Sequence, residues 1–141
     1  MKYFLLFLGF FIFNSCDANF CNNSSNINVP KILSEIKIYK NKDYCTCLNE
    51  ALEGNGESIN EFSKFIVAKD LANQHGIVLT KLIETIGDES YTSYLINFND
   101  RNKLSLMTYV SMGLYEIKFS PFQSEKLEDN FPKLRRFLID E

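Results

Sequence analysis

The sequence lacks the residues and motifs that mark the common classes of catalytic site. Its 141 residues include one histidine and no tryptophan. There is no Gly-x-Ser-x-Gly, no His-Glu-x-x-His and no glycine-rich phosphate-binding pattern. The signatures of serine hydrolases, zinc peptidases and nucleotide-binding enzymes are therefore excluded. The sequence by itself identifies no reaction, and catalysis is not the expected activity.

Charge of one sign is not concentrated in any block. Fifteen Lys and Arg residues against eighteen Asp and Glu residues give a net charge of −3. Proteins that bind nucleic acid need a basic surface to neutralise phosphates, so a nucleic-acid partner is not expected. The composition is otherwise globular, with 45% hydrophobic residues and thirteen Phe, and it predicts one domain with a Phe-rich core.

The chain also lacks a long apolar run. The apolar stretch over residues 3–13 follows Lys2, and it is shorter than the roughly 20 residues that a membrane-spanning helix needs. Its length is typical of the apolar core of a signal peptide. Residues 1–15 are therefore predicted to be a signal peptide and to lie outside the fold.

The residues that follow this run are Phe13, Asn14, Ser15 and Cys16, and they resemble the lipobox of bacterial lipoproteins. The resemblance covers residues 1–16 only, and it implies that Cys16 carries a lipid that anchors the mature chain in a membrane. A second interpretation is ordinary signal cleavage after Ala18, which would release a soluble secreted or periplasmic protein. A third is a cytoplasmic protein.

Residues 16–30 are polar and rich in Asn and Ser, and they predict a flexible tether. The folded domain is then expected over residues 31–141. This division gives three segments, which are the signal peptide, the tether and one helical domain.

The longest run with a single helical period covers residues 58–87. It predicts a helix or a helix pair around which the domain is organised, and of the two we favour one central helix. Ser58 and Glu61 have the spacing of a capping box, and Gly87 supplies a stop. A helical projection places apolar or small side chains on one stripe, namely Phe65, Ala68, Ala72, His75, Gly76, Leu79, Ile83 and Ile86. Ala68, Ala72 and Gly76 predict close approach of a neighbouring helix. A kink is allowed at residues 74–76.

The remaining segments predict further helices and an all-α single compact domain of about five to seven helices. Asp88 is expected to cap the helix that follows it, and Pro132 to occupy the first turn of the last helix. The alternative is an α+β fold with a β-hairpin over residues 91–110, because residues 104–110 also have strand propensity.

The cysteines are candidates for a disulfide, since export would place them in an oxidising compartment. With Cys16 lipidated, Cys21 can pair with Cys45 or with Cys47, or Cys45 can pair with Cys47. The other interpretations are buried or free thiols, or a metal or redox site at Cys45 and Cys47, whose thiolates suit soft cations. No cofactor is predicted.

His75 is the remaining candidate for chemistry. Its neighbours on a helix are apolar, which favours a core residue over a catalytic or metal-binding one. The sequence as a whole favours an exported, lipid-anchored, non-catalytic protein that acts through contacts with an unknown protein partner, such as an inhibitor or immunity-type protein. The alternative is a small exported enzyme or a metal or redox protein that uses His75 or the Cys45 and Cys47 pair.

Overall fold

A computed structural model of the chain describes residues 19–117 and 126–140. Within these ranges the chain forms eight α-helices, one short 3₁₀ helix and no strand, which confirms the all-α single domain. Five of the helices have seven or more residues. The α-helices are α1 (Lys31–Ser34), α2 (Tyr44–Leu52), α3 (Gly56–Lys64), α4 (Ala72–Ile86), α5 (Asp88–Ser93), α6 (Asp100–Ile117), α7 (Leu127–Asn130) and α8 (Pro132–Ile139), and the 3₁₀ helix is Lys69–Leu71.

The predicted alternative, a β-hairpin over residues 91–110, is not formed. That range holds the end of α5, a connecting loop and the first half of α6. Tyr91 on α5 and Leu106 and Val110 on α6 are fully buried. The last two are four residues apart, a spacing that places both on one face of a helix.

The centre of the domain is the crossing of α4 and α6. At the crossing Gly76 faces Gly113, and a Cβ atom on either glycine would overlap main-chain atoms of the other helix. Next to them Thr80 donates a hydrogen bond to the carbonyl of Val110 over 3.4 Å. The predicted close approach of a neighbouring helix is therefore confirmed at Gly76. It is wrong at Ala68, which lies outside any helix and is exposed.

The prediction of one helix over residues 58–87 is wrong, because the chain leaves the helical conformation after α3. Phe65 has φ −67° and ψ 130°, which is an extended conformation. The backbone N–H of Val67 donates to the Tyr109 hydroxyl over 3.2 Å. This hydroxyl on α6 replaces the backbone carbonyl that would accept the hydrogen bond inside a continuous helix. The β-branched side chains of Ile66 and Val67 also lower the helix propensity of this segment slightly. The allowed kink at residues 74–76 is absent, since α4 continues through them.

The predicted start of this helix was also wrong by one turn. Asn55, not Ser58, is the N-cap residue, and its side-chain oxygen accepts a hydrogen bond from the Ser58 N–H over 3.0 Å. Gly54 precedes it with φ +86°, a conformation that glycine adopts at little cost. The turn that ends α2 therefore leads directly into α3.

Asp88 caps a helix other than its own. Its carboxylate accepts hydrogen bonds from the backbone N–H groups of Lys133 at 2.7 Å and Leu134 at 2.9 Å, in the first turn of α8. The prediction that Asp88 caps α5 is wrong, because Gly87 is the N-cap residue there. The first-turn position of Pro132 is confirmed. These hydrogen bonds hold the first turn of α8 next to the start of α5.

Residues 19–30 pack against the helices, so the prediction of a flexible tether is wrong for this part of 16–30. Cys21, Ile27 and Val29 are buried in the core. The Asn23 side chain accepts from the Ile27 N–H and donates to the Ile27 carbonyl, both over 2.8 Å, which closes a turn and directs the apolar residues inward. The predicted signal peptide and the lipidation site Cys16 lie outside the described residues.

Candidate functional site

Cys21 and Cys45 form a disulfide that joins the N-terminal segment to α2, with a Cα–Cα distance of 5.2 Å. A disulfide was predicted, and this pairing is the one formed among three alternatives. Cys47 is a buried free thiol, and its burial raises its pKa to about 11. Because the Cys45 sulfur is in the disulfide, Cys45 and Cys47 do not form a pair of thiolates. No cluster of three or more potential metal-binding His, Cys, Asp or Glu residues occurs in 19–117 and 126–140.

His75 is completely buried on α4 in a cage of aromatic rings. The Tyr44 hydroxyl oxygen lies 2.7 Å from His75 Nδ1 and makes its hydrogen bond. Four ring centroids lie 5.1 to 5.9 Å from that of the imidazole, those of Tyr44, Phe62, Phe65 and Tyr109. The prediction of a core histidine on an apolar stripe agrees with this burial.

Burial also fixes the protonation state of His75. It lowers the pKa of the imidazole to about 3, a shift that an interaction with the backbone of Phe65 opposes in part. Nε2 makes no hydrogen bond of normal geometry with the described residues. The imidazole is therefore neutral near pH 7 and closed to solvent, and a dissolved substrate has no access to it in this conformation.

Charged side chains that solvent can reach line a cleft of about 600 Å³ between α5, α6 and α8. One aromatic ring, that of Phe137, lies in its wall. Three cationic and two anionic side chains surround it: Lys103, Lys133, Arg136, Glu89 and Asp140. The lining thus has a small excess of positive charge on a chain whose net charge is −3.

The three cations differ in how firmly they are held. Lys103 donates to the backbone carbonyl of Asp140 over 3.3 Å, and its ammonium lies 5.5 Å from the centroid of the Phe137 ring. Lys133 and Arg136 are exposed and three residues apart on α8, which places them on one helix face. Neither forms an ion pair within the described part of the chain. These two side chains are available to a ligand.

The cleft was missed by the sequence analysis because it is assembled from three separate helices. The only local signal was the spacing of Lys133 and Arg136 on α8, and Lys103 lies far from them in sequence. No helix in the described ranges is both long and apolar enough to cross a bilayer. Comparison with known proteins found no matching family, no matching curated protein and no matching solved structure.

Proposed function

We propose that this chain is an exported, lipid-anchored protein that acts by binding another protein at the cleft between α5, α6 and α8. The disulfide between Cys21 and Cys45 supports export, because disulfides persist in oxidising compartments. The lipobox-like residues that end at Cys16 support the anchor. The function is one of recognition, carried out by surface side chains.

The observation that carries the binding proposal is the pair of unpaired cations beside an aromatic wall. Lys133 and Arg136 have no acidic partner among the described residues, and Phe137 lies next to Arg136 on α8. Arg and aromatic side chains are enriched in the parts of interfaces that contribute most binding energy. The partner that fits presents carboxylates next to an apolar side chain.

A more specific form of the proposal is an inhibitor or immunity-type protein, in which the partner is a secreted toxin or hydrolase. The small size of the chain, its acidity and its proposed export support this form. A gene for a secreted toxin beside the gene for this chain would add support, and the purified pair should then form a complex in which the toxin is inactive.

Charge reversal at the cleft tests the proposal. In cells that make the exported protein, cross-linking should trap a partner on the wild type. The double variant Lys133→Glu, Arg136→Glu should reduce the trapped amount at least about tenfold, since two favourable charge contacts become repulsive. The matched control is Lys37→Glu, Lys69→Glu, which reverses two exposed lysines away from the cleft.

The control variant should trap the same partner in the same amount as the wild type. Equal trapping by the cleft variant, or no partner on the wild type, would show that the cleft is not the binding site. Circular dichroism and the intact Cys21–Cys45 disulfide verify that each variant is folded.

A further inference from the structure

Two large apolar side chains near the start of the described chain lie in solvent. Phe20 is 49% exposed and Ile32 is 51% exposed. The backbone N–H of Phe20 donates to the carbonyl of Val29 over 3.2 Å, and Ile32 follows Val29 by three positions. The two side chains therefore belong to one region of the surface. We call this surface, formed by Phe20 and Ile32, the N-terminal patch.

Hydrogen bonds and the disulfide hold Phe20 in its exposed position. The side-chain oxygen of Asn19 accepts from the backbone N–H groups of Cys21 at 3.1 Å and Val29 at 3.2 Å. Cys21 is buried and is joined to Cys45 on α2 by the disulfide. The backbone is thus fixed on both sides of Phe20. The exposure of this ring is a property of the folded domain rather than of a loose chain end.

The segment that carries Phe20 has no charge of its own. Residues 19–30 contain no Asp, Glu, Lys or Arg. The nearest charged residues in sequence are Asp17 and Lys31, and the ammonium of Lys31 lies 3.8 Å from the carboxylate of Glu35. A partner that is selected by charge would have little to recognise here. A surface that is apolar and uncharged suits the interface of a lipid bilayer, where binding strength increases with the apolar area that is buried.

The helix next to this segment adds few charges. α2 is joined to the segment by the disulfide and by a hydrogen bond from the Asn49 side chain. The single charged residue within α2 is Glu50, which is paired with Lys42. Asp43 and Glu53 flank the helix at its two ends, and Asp43 is bound to the first turn as its N-cap. No unpaired cation on α2 therefore directs an anionic partner to this side of the domain.

Chain length would bring the patch to a bilayer. Cys16, which we propose to carry the lipid, precedes Phe20 by four positions, and four residues span at most about 14 Å. The interfacial layer on each side of a bilayer is about 5 to 8 Å thick. An inserted lipid would thus hold Phe20 close to this layer. We propose that the N-terminal patch lies on the bilayer, with the side chains of Phe20 and Ile32 in its interface.

This inference rests on the lipid that we propose at Cys16, and it adds which side of the domain meets the membrane. Two side chains alone would bind a bilayer weakly. A tether raises their effective concentration at the membrane, so a small patch is sufficient once the lipid is inserted. The patch shares no residue with the cleft between α5, α6 and α8. The inference therefore does not depend on the proposed protein partner.

Tryptophan fluorescence tests the contact, because the chain has no tryptophan of its own. The lipidated protein is purified from membranes and reconstituted into phosphatidylcholine vesicles whose acyl chains carry bromine near the headgroup, since bromine quenches tryptophan on contact. Phe20→Trp and Ile32→Trp place one reporter each in the patch. Ile139→Trp is the matched control, because Ile139 is 44% exposed and lies on α8, which packs against α5, α6 and α7. Circular dichroism and the intact disulfide verify that each variant is folded.

Both patch reporters should be quenched at least about twofold, whereas the control should keep its fluorescence, because only the patch enters the bilayer interface. Raising the salt concentration to about 0.5 M should leave the quenching unchanged, since salt screens charges and the contact is apolar. Quenching that is lost in salt would show that charged groups hold the domain on the bilayer, and it would overturn the proposal.

Three further results would overturn the contact. They are no quenching of either patch reporter, equal quenching of all three variants, and quenching of Phe20→Trp alone, which would reflect only its nearness to the anchor. Mass spectrometry of the mature N-terminal peptide separates this inference from the proposed anchor. A lipidated protein with unquenched patch reporters would contradict the contact alone, whereas a peptide without lipid on Cys16 would contradict the anchor and the contact together.

Discussion

His75 connects parts of the fold that are far apart in sequence. It bonds to Tyr44 on α2 and contacts rings from α3, from the segment after α3, and from α6. A neutral imidazole suits this position, because it supplies one hydrogen bond and an aromatic surface. A charged imidazole does not, since burial removes its hydration without supplying a counter-ion.

This environment predicts a loss of stability in acid. The pKa of His75 is about 3 in the folded protein, below its ordinary value of 6.5, so between those pH values only the unfolded chain binds the proton. The free energy of unfolding should fall as pH drops from 6.5, by up to about 1.4 kcal/mol per pH unit. Urea unfolding at pH 7.5, 6.0 and 5.0 measures this slope. His75→Gln should be less stable at pH 7.5 but should lose most of the slope.

Three acidic residues also affect stability, but they do so at lower pH than His75. Hydrogen bonds lower the pKa values of Asp43, Glu50 and Glu57 below their ordinary values of 3.8 and 4.5. Their stabilising contribution is present above those values and is lost only as pH falls below them. A slope between pH 6.5 and 5 that persists in His75→Gln would show that another group causes it.

At the scale of the helices, the crossing of α4 and α6 depends on two glycines. Gly76→Ala should destabilise the domain, because the new Cβ would overlap the Tyr109 carbonyl oxygen and a backbone cannot move as a side chain can. Alanine gains about 1 kcal/mol in helix propensity, and an overlap with backbone atoms should cost about 3 kcal/mol, the upper end of the usual range for overpacking. We expect a net loss of about 2 kcal/mol, measured by urea unfolding.

Gly56→Ala is the matched control for this prediction. The three heavy atoms nearest to its new Cβ would all belong to the ring of Tyr94, which is 37% exposed and able to turn aside. The variant should therefore unfold with nearly the free energy of the wild type. Equal losses in the two variants would mean that helix crossing is not what requires glycine at position 76.

The elements that were predicted correctly are those fixed by short-range signals. Pro132 at the start of α8 and the small residue Gly76 at a helix crossing can both be read from a few neighbouring positions. The break after α3 could not be read from neighbouring positions, because it depends on a hydrogen bond from the Val67 N–H to Tyr109, which lies 42 positions away. Asp88 was assigned to the wrong helix for the same reason, since the N–H groups that it caps are 45 and 46 positions away.

The surroundings of His75 and of the N-terminal segment were less predictable than the helices. Burial of His75 followed from the apolar stripe, but its partner Tyr44 lies 31 positions away and on another helix. The tether prediction failed because Asn and Ser, which are common in flexible segments, here form a turn through Asn23. Composition indicates how a segment behaves in isolation. It contains no information about the helices against which Ile27 and Val29 pack.

At the scale of the whole molecule, the disulfide joins residues 24 positions apart and fixes the first described segment to α2. The double variant Cys21→Ala, Cys45→Ala should lose roughly 3 kcal/mol of stability, because its unfolded chain is no longer cross-linked. Thermal unfolding with and without reductant measures this. Reductant should lower the melting temperature of the wild type and leave that of the double variant unchanged. A wild type that does not respond would contradict the prediction.

With the lipid anchor that we propose at Cys16, the same disulfide would limit the distance between the domain and a bilayer. Cys21 follows Cys16 by five positions, and a chain spans at most about 3.6 Å per residue. With the proposed lipid on Cys16, Cys21 is confined to within about 18 Å of the lipidated residue and Cys45 on α2 to within about 23 Å, whereas a free segment as far as Pro30 would allow about 50 Å. The domain would then meet only those partners that come close to the lipid headgroups.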